Sequence, residues 1–86
     1  MTREQINEFV DEYTGGDPDE KVLLADGLDE AFIGLTSNNI RAVYSIDKII
    51  ECLSKDMSEE DAWEYFHYNI ECAYVGEKTP LYIKTT

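Results

Sequence analysis

The sequence is poor in positive charge and has no long apolar run. Nineteen Asp and Glu residues face seven Lys and Arg, so the net charge at neutral pH is -12. Direct binding to nucleic acid or to an anionic membrane needs clustered Lys and Arg, which this composition excludes. No stretch approaches the ~18 apolar residues of a membrane span, and residues 1–5 do not resemble a signal peptide. We therefore expect a cytoplasmic protein whose partner presents a basic surface.

Cysteine and histidine are also scarce. The chain has two cysteines, Cys52 and Cys72, and one histidine, His67, which is too few ligands for a zinc site. Both cysteines fall among apolar residues in helical patterns, so we expect reduced, buried thiols, with a disulfide as the alternative. His67 lies near Glu64 and Glu71 rather than near a nucleophile. We therefore predict a protein that is not an enzyme and has no catalytic residue, cofactor or metal.

The length of 86 residues and the 43% hydrophobic content indicate a single folded domain. A capping box of Thr2 and Gln5 precedes apolar residues at helical spacing, which predicts an N-terminal acidic helix within residues 1–14. Gly15 and Gly16 end it. Residues 21–86 then form the predicted α+β core. In this core, Ser45 caps a helix over residues 46–53, and a third helix begins after Ser58 and extends to about residue 74.

Four short apolar segments, 22–25, 32–35, 42–44 and 81–83, predict strands. The predicted fold is therefore α+β, with the order α-β-β-β-α-α-β and a mostly antiparallel four-stranded sheet with three helices. A three-helix core with a small flanking hairpin is the alternative. The residues predicted to form the core are Ile6, Phe9, Leu23, Phe32, Val43, Ile49, Ile50, Leu53, Phe66 and Ile70.

Negative charge is concentrated at the two ends of the chain. Residues 1–30 carry ten acidic and two basic side chains, whereas residues 31–55 have a balance of +1 and residues 56–86 a balance of -5. In the first helix, Glu4, Glu8, Asp11 and Glu12 form a stripe with no lysine among them, and each like-charge pair costs a few tenths of a kcal/mol. The stripe is either a solvated face or a surface that binds lysines and arginines.

The third predicted helix is rich in aromatic residues. Trp63 flanks its apolar face, whereas Tyr68 points away from that face, near Glu64. Aromatic side chains beside carboxylates are typical of interface anchors, although they also close the cores of small domains. The candidate partner-binding residues are Glu8, Asp11, Glu12, Glu64, Trp63 and Tyr68.

Four segments together resemble a known group of proteins: DGLDEAFIG (residues 26–34), RAVY (41–44), MSEEDAWEYF (57–66) and AYVGEKTP (73–80). The pattern is similar to that of small uncharacterised acidic proteins encoded mainly by tailed bacteriophages. The resemblance implies a phage origin and the host bacterial cytoplasm, and it carries over no functional residue. It covers about residues 22–83, so the acidic N-terminal helix lies outside it.

Small acidic phage proteins commonly occupy a basic site on a host enzyme, and some mimic nucleic acid to inhibit defence nucleases. By this analogy the leading hypothesis is a non-enzymatic inhibitor that occupies a nucleic-acid-binding site on a host protein. The alternative is a structural or accessory module that self-associates, as a homodimer for example, through its aromatic helix.

Overall fold

The computed structural model describes residues 2–17, 22–25, 27–37, 39–71 and 76–84. Within these residues it has the predicted α+β class, with three α-helices and a small sheet. The helices are α1 (Arg3–Thr14), α2 (Ile46–Leu53) and α3 (Glu59–Tyr65), and the strands are β1 (Phe32–Leu35), β2 (Ala42–Ser45) and β3 (Leu81–Ile83). A 3-10 turn (Asp29–Ala31) precedes β1, and a π-helical segment (Phe66–Glu71) follows α3.

Local capping sets the bounds of α1. The Thr2 hydroxyl accepts a hydrogen bond from the Gln5 N–H at 3.2 Å, and the Gln5 side chain accepts one from the Thr2 N–H at 2.9 Å. At the other end, Gly15 adopts the left-handed conformation with φ 70°, and its N–H donates to the Asp11 carbonyl. The predicted capping box and glycine stop are therefore confirmed.

The Thr2→Ala substitution should lower the free energy of unfolding by about 1 kcal/mol, because it removes the hydroxyl that satisfies a helix N–H. Urea denaturation measures this change. Thr2→Ser retains the hydroxyl and is the control, so an equal loss in both variants would show that the cap does not stabilise the protein.

In the described part of the chain the sheet has three strands, in the order β1-β2-β3, and is mixed. β1 and β2 pair antiparallel, whereas β2 and β3 pair parallel with Tyr44 opposite Tyr82. The predicted four-stranded, mostly antiparallel sheet is therefore wrong. The parallel pairing follows from the chain path, because α2, α3 and the π-helical segment return the chain to the starting end of β2.

Side chains from the β1–β2 loop fix the segment that leads into β3. The Arg41 Nε donates to the Thr79 carbonyl at 2.6 Å, and the Asn39 side chain donates to the Glu77 carbonyl at 3.3 Å. In the opposite direction, the Lys78 ammonium donates to the Ile40 carbonyl at 3.1 Å. These three bonds join residues far apart in sequence, so they align β3 beside β2.

Residues 22–25 are not a strand. The Ala25 N–H donates to the Tyr44 hydroxyl at 2.9 Å, and the Ala25 carbonyl accepts from Arg3 at 3.4 Å. The side chains of Tyr44 and Arg3 thus form the hydrogen bonds to the Ala25 backbone that a neighbouring strand would form in a sheet. Leu23, which was predicted to lie in the core, is instead 40% exposed.

The core is otherwise built largely as predicted. Phe9, Leu53 and Ile70 pack against it while partly exposed, and Val43 is half-buried. The predicted residues that are buried are Ile6, Phe32, Ile49, Ile50 and Phe66.

Strand β2 presents the opposite face from the one predicted. Ala42 and Tyr44 are completely buried, and Val43 between them is not, because alternate residues of a strand point to opposite faces. The core also contains residues that the prediction did not include: Leu28, Ala31, Ala42 and Tyr44. Ala62 is buried on the predicted core face of the third helix.

The third helix is α-helical over only part of its predicted range. Ser58 caps it by accepting a hydrogen bond from the Asp61 N–H at 3.2 Å, but the α-helical part ends at Tyr65. The π-helical segment continues to Glu71, and the predicted end near residue 74 lies outside the described residues.

Ile6 of α1 belongs to the same apolar cluster as the sheet. The single-domain organisation over residues 1–86 stays a prediction.

Candidate functional site

The outer face of α1 carries the predicted acidic stripe. Successive helical residues turn by about 100°, so the side that packs on the core through Ile6 and Phe9 lies opposite the acidic residues. Ile6 is fully buried and Phe9 is partly buried. Glu8, Asp11 and Glu12 are all exposed, as the sequence predicts for a polar face.

The acidic face of α1 is uncompensated. Within the described part of the chain, Glu8, Asp11 and Glu12 form no ion pair. The single cation of α1, Arg3, is engaged elsewhere, because its Nε lies 3.1 Å from an Asp29 carboxylate oxygen. The three carboxylates therefore present negative charge to solvent.

Glu64 and Tyr68 lie together at a second place. They line a shallow depression of about 450 Å³ beside α3, which Met57, Asp61 and Tyr65 also line. Tyr68 is 75% exposed, and Glu64 is exposed and has no ion-pair partner among the described residues. The predicted juxtaposition of Tyr68 and Glu64 on the outward side is thus present.

Trp63 lies at a third place, in a groove between α2 and α3. Its ring stacks on His67 with centroids 5.9 Å apart and lies perpendicular to the Phe66 ring with centroids 6.3 Å apart. The groove measures about 610 Å³ and is also lined by Glu51 and Glu59. The six predicted binding residues therefore occupy three separate places rather than one site.

The Trp63 groove was not predicted as a unit. Glu59 and Trp63 are four residues apart, as are Asp47 and Glu51, and each pair spans one helical turn on the face that meets the groove. The four-residue spacing within each pair was the sequence signal that could have indicated the groove. It was missed because Asp47 and Glu59 also have a role as first-turn acids, which the helix dipole explains without a partner.

His67 has structural contacts. Its Nδ1 lies 3.3 Å from a Glu71 carboxylate oxygen one turn away, and its ring stacks on Trp63. No group of three or more His, Cys, Asp and Glu residues that could hold a metal ion occurs in the described ranges.

Cys52 is a free, partly buried thiol. It donates a hydrogen bond to a Glu30 carboxylate oxygen at 3.4 Å, and the Lys55 ammonium lies 3.6 Å from the same oxygen. Burial, and then the bond to Glu30, raise the pKa of the Cys52 thiol. The protonated thiol is a weak nucleophile. Cys72 lies outside the described residues, so its predicted reduced state stays a prediction.

An apolar pocket of about 520 Å³ lies beside the sheet. Tyr82, Leu28 and Ile70 line it, together with Leu23 and Asn69 at its rim. Asn69 is exposed. Burial, followed by the neighbouring Tyr44, raises the pKa of the Tyr82 hydroxyl.

Stability should decline at alkaline pH because of Tyr82 and Cys52. A pKa that is higher in the folded state gives stability that is complete below the unfolded value and is lost as pH rises through the folded value. The loss should therefore begin near the ordinary thiol pKa of about 8.5 and continue above the tyrosine pKa of about 10. Urea midpoints across this range measure the loss, and a Tyr82→Phe, Cys52→Ala variant should show a flatter profile. An unchanged profile would contradict the assignment.

Comparisons of the chain with protein-family models, curated proteins and solved structures found no match. The resemblance to phage proteins therefore stays a prediction. Where the structure describes the chain, no helix has both the length and the apolar character to cross a membrane.

Proposed function

We propose that the protein is a non-enzymatic acidic binding protein that occupies a basic surface on a partner protein. The observation that carries this proposal is the outer face of α1, where Glu8, Asp11 and Glu12 are exposed and have no ion pair within the described ranges. Like charges on one helix face cost stability, so a sequence selected only for folding would mix signs. A basic partner surface would turn this cost into attraction and would accelerate association.

The partner surface that best fits this charge is one that normally binds nucleic acid. Such surfaces carry clustered Lys and Arg, which the net charge of -12 complements. The resemblance to phage proteins supports a host protein, such as a defence nuclease, as the partner. The protein would then act as an inhibitor in the host bacterial cytoplasm by excluding nucleic acid from that surface.

Recovery of partners from bacterial lysate at low and high salt tests this proposal. Attraction between exposed charges is screened within about 10 Å at 0.1 M salt. We therefore expect a nucleic-acid-binding protein to be recovered at low salt and lost at high salt. Recovery that does not change with salt would contradict a binding surface made of exposed carboxylates.

A second candidate function is a self-associating module, and the exposure of two tyrosines favours it. Tyr65 and Tyr68 are 45% and 75% exposed, so the core does not absorb these aromatics of the third helix. Exposed aromatic side chains are typical anchors of protein interfaces. Sedimentation equilibrium distinguishes the two functions, because the module should form a salt-tolerant dimer that Tyr68→Ser weakens. A monomer at all concentrations would contradict this alternative.

A further inference from the structure

The groove between α2 and α3 combines an aromatic ring with uncompensated carboxylates. Trp63 lies in the groove with Glu59 from its own helix and Glu51 from α2. Neither glutamate forms an ion pair with any residue that the structure describes, and both are exposed. The groove therefore holds negative charge beside an aromatic surface.

The two lysines of the groove are already paired. The Lys84 ammonium contacts the Asp47 carboxylate, and the Lys55 ammonium lies 3.6 Å from the Glu30 carboxylate. Their charges are thus offset by carboxylates other than Glu51 and Glu59. A cation that enters the groove would meet two glutamates that form no ion pair within the described residues.

Trp63 is suited to contact a planar cation. It is half-buried, with the His67 ring stacked at 5.9 Å and the Phe66 ring perpendicular at 6.3 Å, so packing on these two rings fixes its position. An indole face attracts cations through its quadrupole, and arginine stacks on it more effectively than lysine because the guanidinium is flat. The guanidinium also donates in a fork that matches carboxylates.

We propose that this groove binds an arginine side chain of the basic partner, with the guanidinium against Trp63 and between the carboxylates of Glu51 and Glu59. This inference rests on the proposed function and adds a specific recognition element to it. The acidic face of α1 supplies general attraction, whereas the groove selects arginine.

Trp63 is the single tryptophan of the chain, so its fluorescence reports directly on the groove. The probes are a capped hexa-arginine peptide, a hexalysine peptide and a neutral hexaglutamine peptide, none of which absorbs where tryptophan is excited. Calorimetry measures total binding in the same solutions. We expect hexa-arginine to change the Trp63 emission saturably at a lower concentration than hexalysine, and hexaglutamine to cause no change.

The chain offers a matched pair of variants. Glu59 and Glu60 are both exposed acids in the first turn of α3, but only Glu59 lines the groove. Glu59→Gln should raise the peptide concentration at half-saturation by up to about fivefold, the effect of losing one surface charge contact. Glu51→Gln should act similarly, and Glu60→Gln should change the value by less than about twofold, because it alters only the long-range charge.

The outcomes separate the groove from the proposed function. If hexa-arginine binds by calorimetry but Trp63 emission does not change, or Glu59→Gln and Glu60→Gln have equal effects, the groove assignment is wrong and the acidic-surface proposal stands. Equal responses to hexa-arginine and hexalysine would overturn the selection of arginine. An emission change on concentrating the protein alone would show that a second copy occupies the groove. If calorimetry detects no binding of either basic peptide, the proposed function fails together with the groove.

Discussion

Replacing Phe66 by alanine should remove a large part of the stability of the protein. The Phe66 side chain is fully buried and joins the third helix to the sheet, with ring contacts to Trp63 at 6.3 Å and to Tyr82 at 5.7 Å. A Phe→Ala change in a packed core costs about 3–5 kcal/mol, because it removes buried area and leaves a cavity. A domain typically has about 5–15 kcal/mol in total, so the loss is severe.

Two control variants test whether the loss of stability comes from removing a core side chain. Phe66→Leu keeps most of the volume and should cost less than about 1.5 kcal/mol. Tyr68→Ala removes an aromatic residue from the same helical segment, but Tyr68 is mostly exposed and the change should stay within about 0.5 kcal/mol. Urea denaturation measures all three variants. Equal losses for Phe66→Ala and Tyr68→Ala would contradict the division of these aromatics into core and surface.

Reversing two charges on α1 should weaken the partner complex about tenfold or more at low salt, because each reversal replaces an attraction with a repulsion. Glu8→Lys combined with Glu12→Lys makes this change on the uncompensated face of the helix. The affinity of the variant should also depend less on salt. Its melting temperature should hold or rise slightly, since the substitutions relieve like-charge repulsion within the helix.

A charge-matched control distinguishes the contribution of the α1 face to binding from the contribution of the net charge. Glu60→Lys combined with Glu77→Lys changes the net charge equally at exposed positions outside α1, and it should weaken binding less. Isothermal titration calorimetry with the isolated partner and thermal denaturation give the two quantities. Unchanged affinity with raised stability in the α1 variant would mean that the acidic stripe is only a solvated face.

The helix starts could be predicted from sequence because capping is local. Ser45 and Ser58 each accept a hydrogen bond from an N–H three residues ahead, and this geometry depends only on the neighbouring chain. The parallel placement of β3 could not be predicted in this way. It depends on bonds such as that from Arg41 to the Thr79 carbonyl, which join residues 38 positions apart.

The segment 22–25 shows a second limit of prediction from sequence. The sequence predicted that Leu23 lies in the core, but Leu23 is 40% exposed and its neighbours Val22, Leu24 and Ala25 pack against the core instead. Composition could not show that the Tyr44 hydroxyl, rather than the backbone of a neighbouring strand, would accept the hydrogen bond from the Ala25 N–H. Apolar content therefore specified neither the residues of this segment that contact the core nor the backbone pairing.

In the candidate site, the sequence predicted the exposed acidic face of α1 but not the groove around Trp63. The exposure of Glu8, Asp11 and Glu12 follows from the helical period of the buried residues in α1. The groove around Trp63 depends on how α2 and α3 pack together, which no local pattern specifies. The spacing of Glu59 and Trp63 indicates a shared face, but it does not show that Glu51 faces the same groove.

Competition with nucleic acid for the isolated partner tests the central claim most directly. A fluorescent DNA duplex bound to the partner should be displaced completely as the concentration of this protein is raised at low salt. Binding of the two should be mutually exclusive, because both would occupy one basic surface. A stable ternary complex of partner, DNA and this protein would contradict the claim.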